Sequence, residues 1–231
     1  MSDTVKKAPY SPAPIINFFL SPSEQVVRFK ELNTDNFWGF AESDIPEIPK
    51  DILVKDGEVL TLSFYFPKNG NSSACIQTFS EHMEALEIQL THFGQRLSWP
   101  KIMKNNLKSL RLISGVEHKP GIYWTILNYK QFFNPANGHR VSDIISGTSS
   151  TVVLAASEIL SAILLNPDWI RGMGENLNGV SVPDVTLPGY EWNNKVLRFD
   201  LRGANILKLN FYPAATKFFQ AASPTVRHVR Y

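Results

Sequence analysis

The stretch Ser149 to Leu165 constrains this chain more than any other. Its residues are apolar on nearly every side of a helical wheel, relieved only at Ser157, Glu158 and Ser161. A helix without a polar face has to be buried on most sides, so the rest of the fold is expected to wrap around it. The run Thr151 to Leu165, with Glu158 in its middle, falls short of the roughly 20 apolar residues that cross a bilayer. It reads as a core helix, and no membrane role is expected.

The remaining composition supports a packed core. Of 231 residues 43% are hydrophobic and 19% charged, which excludes the low-hydrophobicity, high-charge class that stays disordered. The single cysteine, Cys75, excludes an internal disulfide framework and any zinc site built on paired cysteines. Met1 to Lys7 is polar and is followed by no apolar leader core, so a cytoplasmic location is the expectation.

Prolines 9, 12, 14 and 22 make residues 1–22 an extended arm, separate from a single globular domain over 23–231. Its apolar run, Ile15 to Leu20, needs a surface to lie on, either the core or a partner, so self-association or a protein partner is expected there. Glu24 to Phe40 reads as an early strand. Ala41 to Lys50 is an acidic loop whose Pro46 and Pro49 have the Pro-x-x-Pro spacing but lack flanking basic residues.

Asp56-Gly57 marks a turn into a strand from Glu58 to Phe66. A helix from about Ala74 to Leu97 follows, because Ile76, Phe79, Met83, Leu86, Leu90 and Phe93 recur every three or four residues. Lys101 to Leu112 is a short helix or the approach to a strand. Pro120-Gly121 turns into a strand from Ile122 to Phe133, which Asn134 to Gly138 ends.

After the apolar helix, Pro167 opens one turn around Trp169. Glycines 172, 174 and 179 with prolines 183 and 188 predict irregular chain, Val196 to Leu201 and Asn205 to Tyr212 a hairpin, and Ala214 to Ala222 a short helix. The order β-α-β-α-β-β gives an α+β fold, mainly an antiparallel sheet packed against two long helices. Phe64-Tyr65-Phe66-Pro67, Phe132-Phe133-Asn134-Pro135 and Phe211-Tyr212-Pro213 share an aromatic pair close before a proline, as a duplicated β-α unit would.

Motifs for common catalysis are missing. There is no phosphate-cradling Gly-x-x-x-x-Gly-Lys-Ser/Thr, no Gly-x-Ser-x-Gly elbow and no His-Glu-x-x-His helix, so no cofactor, metal or catalytic residue is assigned. Glu81, His82, Glu84, Glu87 and His92 gather on the first long helix, but the two histidines are ten residues apart and do not share a site. His118 and His139 fall in loops. Cys75 falls at a helix N-terminus, where a thiol is acidified, although no histidine partner can be assigned to it. An enzyme of unrecognised type would show a deep pocket near Glu84, Glu87 or Cys75.

Charge placement is more telling. Residues 1–100 carry 8 Lys or Arg against 13 Asp or Glu, while residues 101–231 carry 15 against 8. Lys101, Lys104, Lys108 and Arg111 recur at helical spacing and would form one positive stripe. Tyr123, Trp124, Tyr129, Lys130, Phe132 and Phe133 lie on one expected strand, and the tail adds Lys217, Arg227, His228, Arg230 and Tyr231. Rings on an open sheet face stack bases while nearby cations hold phosphates.

The resulting expectation is a non-enzymatic protein that binds single-stranded DNA or RNA with little sequence preference and self-associates. Lys101, Lys104, Lys108, Arg111, Lys130, Arg227 and Arg230 would meet phosphates, with Trp124 and Tyr129 as stacking residues. The alternatives are an assembly subunit of a larger complex and an enzyme.

Overall fold

A computed structural model of the chain describes residues 19–66, 74–113, 120–128, 139–147, 153–172, 176–177, 180–181, 184–201, 206–218, 221–222 and 224–229. The helices are α1 (Pro22–Leu32), α2 (Ala74–His92), α3 (Lys101–Lys104), α4 (Val141–Gly147), α5 (Ser157–Leu165) and α6 (Pro167–Gly172). The strands are β1 (Glu58–Tyr65), β2 (Arg96–Ser98), β3 (Leu110–Leu112), β4 (Gly121–Asn128), β5 (His139–Arg140), β6 (Val153–Leu154), β7 (Asn176–Leu177), β8 (Val180–Ser181), β9 (Asp184–Trp192), β10 (Lys195–Leu201), β11 (Ile206–Pro213), β12 (Lys217–Phe218), β13 (Ala221–Ala222) and β14 (Thr225–His228). Helices and largely antiparallel strands therefore coexist, as an α+β fold requires.

The strands form two larger sheets where one was expected. The first has the order β1-β4-β14-β6, all antiparallel. The second has the order β13-β9-β10-β11-β2, with β3 also pairing β9, and is parallel only at β13-β9 and β11-β2. One continuous apolar cluster joins residues of both sheets to α1, α2 and α5.

The apolar run behaves as its composition demands: all nine residues of α5 are buried. The helix is shorter than predicted, because Val153 and Leu154 are drawn into β6 on β14. Helix α5 packs on β1 and α2. Strand β1 is itself buried on both faces from Thr61 to Tyr65.

Burial on both faces creates a problem at the strand's outer edge. β1 pairs only with β4 among the described residues, so the amides and carbonyls on its other side need partners away from water. Side chains supply them. The fully buried Gln25 of α1 donates to Leu60 O at 3.0 Å and accepts from Leu62 N at 2.9 Å and Thr61 Oγ1 at 3.0 Å. One turn along the edge, Ser161 Oγ of α5 accepts from Phe64 N at 3.1 Å.

Helix α1 occupies a stretch where sequence reading placed an early strand. Its start is written in Ser21-Pro22-Ser23-Glu24: Ser21 caps, Pro22 enters the first turn, and Glu24 Oε2 accepts from Ser21 N at 2.8 Å, which completes a capping box. Its buried side is narrow, mainly Gln25 and Phe29, and that weak periodicity hid it.

Helix α2 stops at His92, short of the predicted Leu97. Gly94 takes φ +70, and Gln95 N donates to Leu90 O at 2.8 Å while Gly94 N donates to Thr91 O at 3.0 Å, a glycine-terminated Schellman cap. That releases residues 96–98 to form β2 beside β11. Pro188 and Gly189 lie inside β9 and not in irregular chain. The β9-β10 hairpin turns at Asn193-Asn194, both in the left-handed region that a tight two-residue turn needs. Strands β10 and β11 form the expected hairpin pair. The predicted tail helix is instead a turn followed by β12 and β13. Among the described residues no helix is long and apolar enough to cross a membrane.

If Gln25 seals the edge of β1, replacing it by leucine strands two buried backbone groups. Gln25→Leu is expected to lower unfolding stability by about 2–4 kcal/mol, seen in urea titration as a lower midpoint at unchanged slope. An unchanged midpoint would show that the bonds contribute nothing net.

Candidate functional site

The helix that was expected to line Lys101, Lys104, Lys108 and Arg111 up as one stripe does not form. Pro100 precedes α3, which lasts a single turn before Asn105-Asn106; a 3-10 turn at Leu107–Ser109 follows, and the chain then enters β3. Two asparagines in a row favour a break, and the pairing of Leu110 to Leu112 with Tyr190 to Trp192 of β9 holds the strand in place. Even so, Lys101, Lys104, Lys108 and Arg111 all remain exposed. Arg96, on β2 and outside the predicted set, is exposed too.

From Arg96 to Ile113 there are five cations and no acidic residue. Two carboxylates reach them from elsewhere: Glu87 of α2 lies 3.9 Å from Lys104 Nζ, and Glu191 of β9 lies 2.5 Å from Arg111. The Lys104–Glu87 pair is exposed and of the kind that contributes little to stability, whereas Arg111 reaches the half-buried Glu191 through both Nε and Nη2 and also meets Asn194. The half-buried Trp99 sits within the segment, with Lys104 Nζ 4.8 Å from its ring centre. The Trp99 indole N–H is buried and has no acceptor among the described residues.

Of the other predicted residues, Trp124 and Arg227 are not brought to this surface. Trp124 is fully buried in the core, its indole N–H donating to Pro46 O at 3.2 Å, so its ring offers no face to a base. Alternation on β4 turns Trp124 inward because both sheet faces are covered there; an open face had been assumed. Arg227 is on β14 in the first sheet, its guanidinium bonded to Leu53 O at 2.8 Å and Glu58 Oε2 at 3.1 Å. Tyr129, Lys130 and Arg230 lie outside the described residues.

A second cluster of chemistry-bearing groups is buried where β1, α2, α5 and β9 meet. Glu158 Oε1 accepts from Tyr65 OH at 2.5 Å and its Oε2 from Ala156 N at 2.8 Å. Ser157 Oγ and Tyr190 OH are 2.5 Å apart. Burial, reinforced for Tyr65 by the Glu158 charge and for Tyr190 by Cys75, pushes both phenols well above their ordinary range.

His82 completes this network. Its Nδ1 is 2.7 Å from Thr78 O, an atom that can only accept, so Nδ1 carries the proton and Nε2, 2.8 Å from Ser161 Oγ, accepts. A relay then runs from Phe64 N–H through Ser161 to His82 and on to Thr78. Burial lowers the His82 pKa to about 4, against the smaller opposing pull of the Thr78 carbonyl and Glu158. The imidazole is neutral and its partners are core groups, so the cluster reads as a structural network.

Two clefts among the described residues have volumes of about 380 and 460 Å³, one beside Asp44 and Tyr123 and one between α1 and α2. Neither is lined by Cys75, Glu84 or Glu87. Cys75 is buried, and Glu84 and Glu87 are exposed on α2. Among the described residues no group of three His, Cys, Asp or Glu side chains is placed to hold a metal ion. Compared with protein-family models, curated proteins and solved structures, the chain matches none.

The histidine gives a pH signature. In the unfolded chain it takes up a proton near the ordinary imidazole value of 6.5, while in the fold it resists protonation down to about 4. Its neutral form therefore supports the fold above pH 6.5, and stability drains as pH falls from 6.5 towards 4, by on the order of 3 kcal/mol. Chemical denaturation across that window should show the slope in the wild type and a flatter one in His82→Gln; equal slopes would remove His82 as its source.

Proposed function

We propose that the protein binds single-stranded nucleic acid, with little sequence preference, through the segment Arg96 to Arg111. The observation that carries this reading is the run of five exposed cations without an acidic residue, laid over β2, α3, the turn at Leu107–Ser109 and β3, with Trp99 among them. Short elements with exposed side chains suit a flexible backbone better than the deep groove of a duplex, which takes a long helix or a ribbon.

Lys101, Lys104, Lys108, Arg111 and Arg96 would meet phosphates. Glu87 and Glu191 hold Lys104 and Arg111 in extended positions until a phosphate replaces them. Trp99, not the buried Trp124, is the ring available for stacking. Its ring makes a T-shaped contact with the core residue Phe79 and has Lys104 Nζ 4.8 Å from its centre, so a base on Trp99 and a phosphate on Lys104 would come as a pair. The neutral core network takes no part.

Fluorescence anisotropy of a labelled oligothymidylate at two salt concentrations tests the reading. If three to five phosphates are engaged, the log–log salt slope should be roughly −2 to −3.5. Lys104→Glu with Lys108→Glu should weaken binding by at least about tenfold, roughly 1.4 kcal/mol, and Trp99→Ala should weaken it by a sequence-independent amount. No binding at low salt would overturn the proposal.

A further inference from the structure

The helices α1 and α2 leave an apolar groove of about 460 Å³ between them, lined by Leu32, Phe37, Trp38, Ala85, Ile88 and Phe93. Phe37 is 74% exposed and Ile88 54% exposed, values unusual for side chains of that size beside a cavity. Its surroundings are acidic. Helix α2 carries no lysine or arginine, and of its glutamates Glu81 and Glu84 lie towards the groove. Glu81 and Glu84 stand seven and four residues before Ile88 on the same solvent-facing side. Glu31 adds a carboxylate from the other wall, and Arg28, the one lysine or arginine lining the groove among the described residues, is bonded to it at 3.0 Å.

The matching surface is on the same chain. Ile102, on the single turn α3, is 63% exposed and stands between Lys101 and Lys104, with Lys108 and Arg111 following. It is an apolar knob ringed by cations, complementary in both polarity and sign to an apolar groove ringed by carboxylates. It cannot enter its own groove. Lys104 meets Glu87, which points to the flank of α2 away from Ala85, Ile88, Gln89 and His92, so α3 and the groove lie on opposite flanks.

We infer that the groove between α1 and α2 seats the Ile102 turn of a second copy of this chain. Two unlike surfaces are then joined, and because they lie on opposite flanks of α2 the copies associate head to tail, which gives a ring or an open row of subunits. Ionic attraction steers the contact and burial of Ile102 against Ile88 and Phe37 holds it, so association weakens as salt rises.

The test is the mass of the full chain by light scattering on a sizing column, without nucleic acid, from low to high micromolar concentration. Its outcome is thus independent of whether the segment also binds nucleic acid. The wild type should exceed monomer mass as concentration rises and return towards it in high salt. Ile102→Ser removes the knob and Ile88→Lys blocks the groove, with Phe37→Ser as a second groove variant; all three positions are exposed, so circular dichroism should match the wild type. Each variant alone should be monomeric, and an equimolar mixture of Ile102→Ser with Ile88→Lys should regain a species of twice the monomer mass, because one intact groove and one intact knob remain. A wild type that stays monomeric throughout overturns the inference. So does association that all three variants retain, including the case in which the groove takes an unrelated partner instead.

Discussion

Strand β1 is buried on both faces and, among the described residues, paired along only one edge, and the rest of the structure is arranged around that constraint. An unpaired edge inside a protein would leave amides and carbonyls without water or partner, a cost of a few kcal/mol for each group. Here two side chains from two helices take the place of a neighbouring strand: Gln25 spans Leu60 to Leu62, and Ser161 takes Phe64. The same bonds dock α1 and α5 on the sheet. Ser161 in turn engages His82, which ties α2 to the arrangement. Polar residues in the core therefore specify how three helices sit, while the aromatic cluster of Phe29, Trp38, Phe64 and Phe66 fills the space between them.

Gln25, Ser161 and His82 are committed to the core, while Glu84, Glu87, Lys101, Lys104, Lys108 and Arg111 are at the surface. That surface is segregated by sign. Acidic residues collect on α2, and cations on the segment that follows it, where the Schellman cap at Gly94 turns the chain away from the helix. The two meet at Lys104 and Glu87, yet most of each charged face looks outward in a different direction. A surface of one sign with a ring at its centre is suited to a polyanion; a groove of the other sign is suited to something basic. Both readings follow from this one separation.

The sequence made the buried helix, the first strand, the long amphipathic helix and the final hairpin legible, because periodicity and full apolarity report burial directly. It misled where a cap or a turn outweighed periodicity. The capping box of Ser21 to Glu24 and the Asn193-Asn194 turn went unread, because the narrow buried side of α1 and the Pro188-Gly189 interruption of β9 mask the elements they belong to. For the candidate surface, the four cations Lys101, Lys104, Lys108 and Arg111 were correctly read as exposed, whereas Trp124 was not, because sequence does not reveal whether a sheet face is covered. Arg227 was drawn into the set by sign alone and lies in the other sheet beside Glu58. The sealing role of Gln25 and Ser161 had no sequence signature, since it depends on which strand ends at an edge.

Amide hydrogen exchange of the full chain, read with and without an excess of oligothymidylate at low salt, tests the central claim most directly, because it needs no substitution and reports position as well as binding. The account predicts slowed exchange in peptides spanning residues 96–112, with the β14 peptide that carries Arg227 unchanged. Unaltered exchange over 96–112, or protection confined to other parts of the chain, would contradict it.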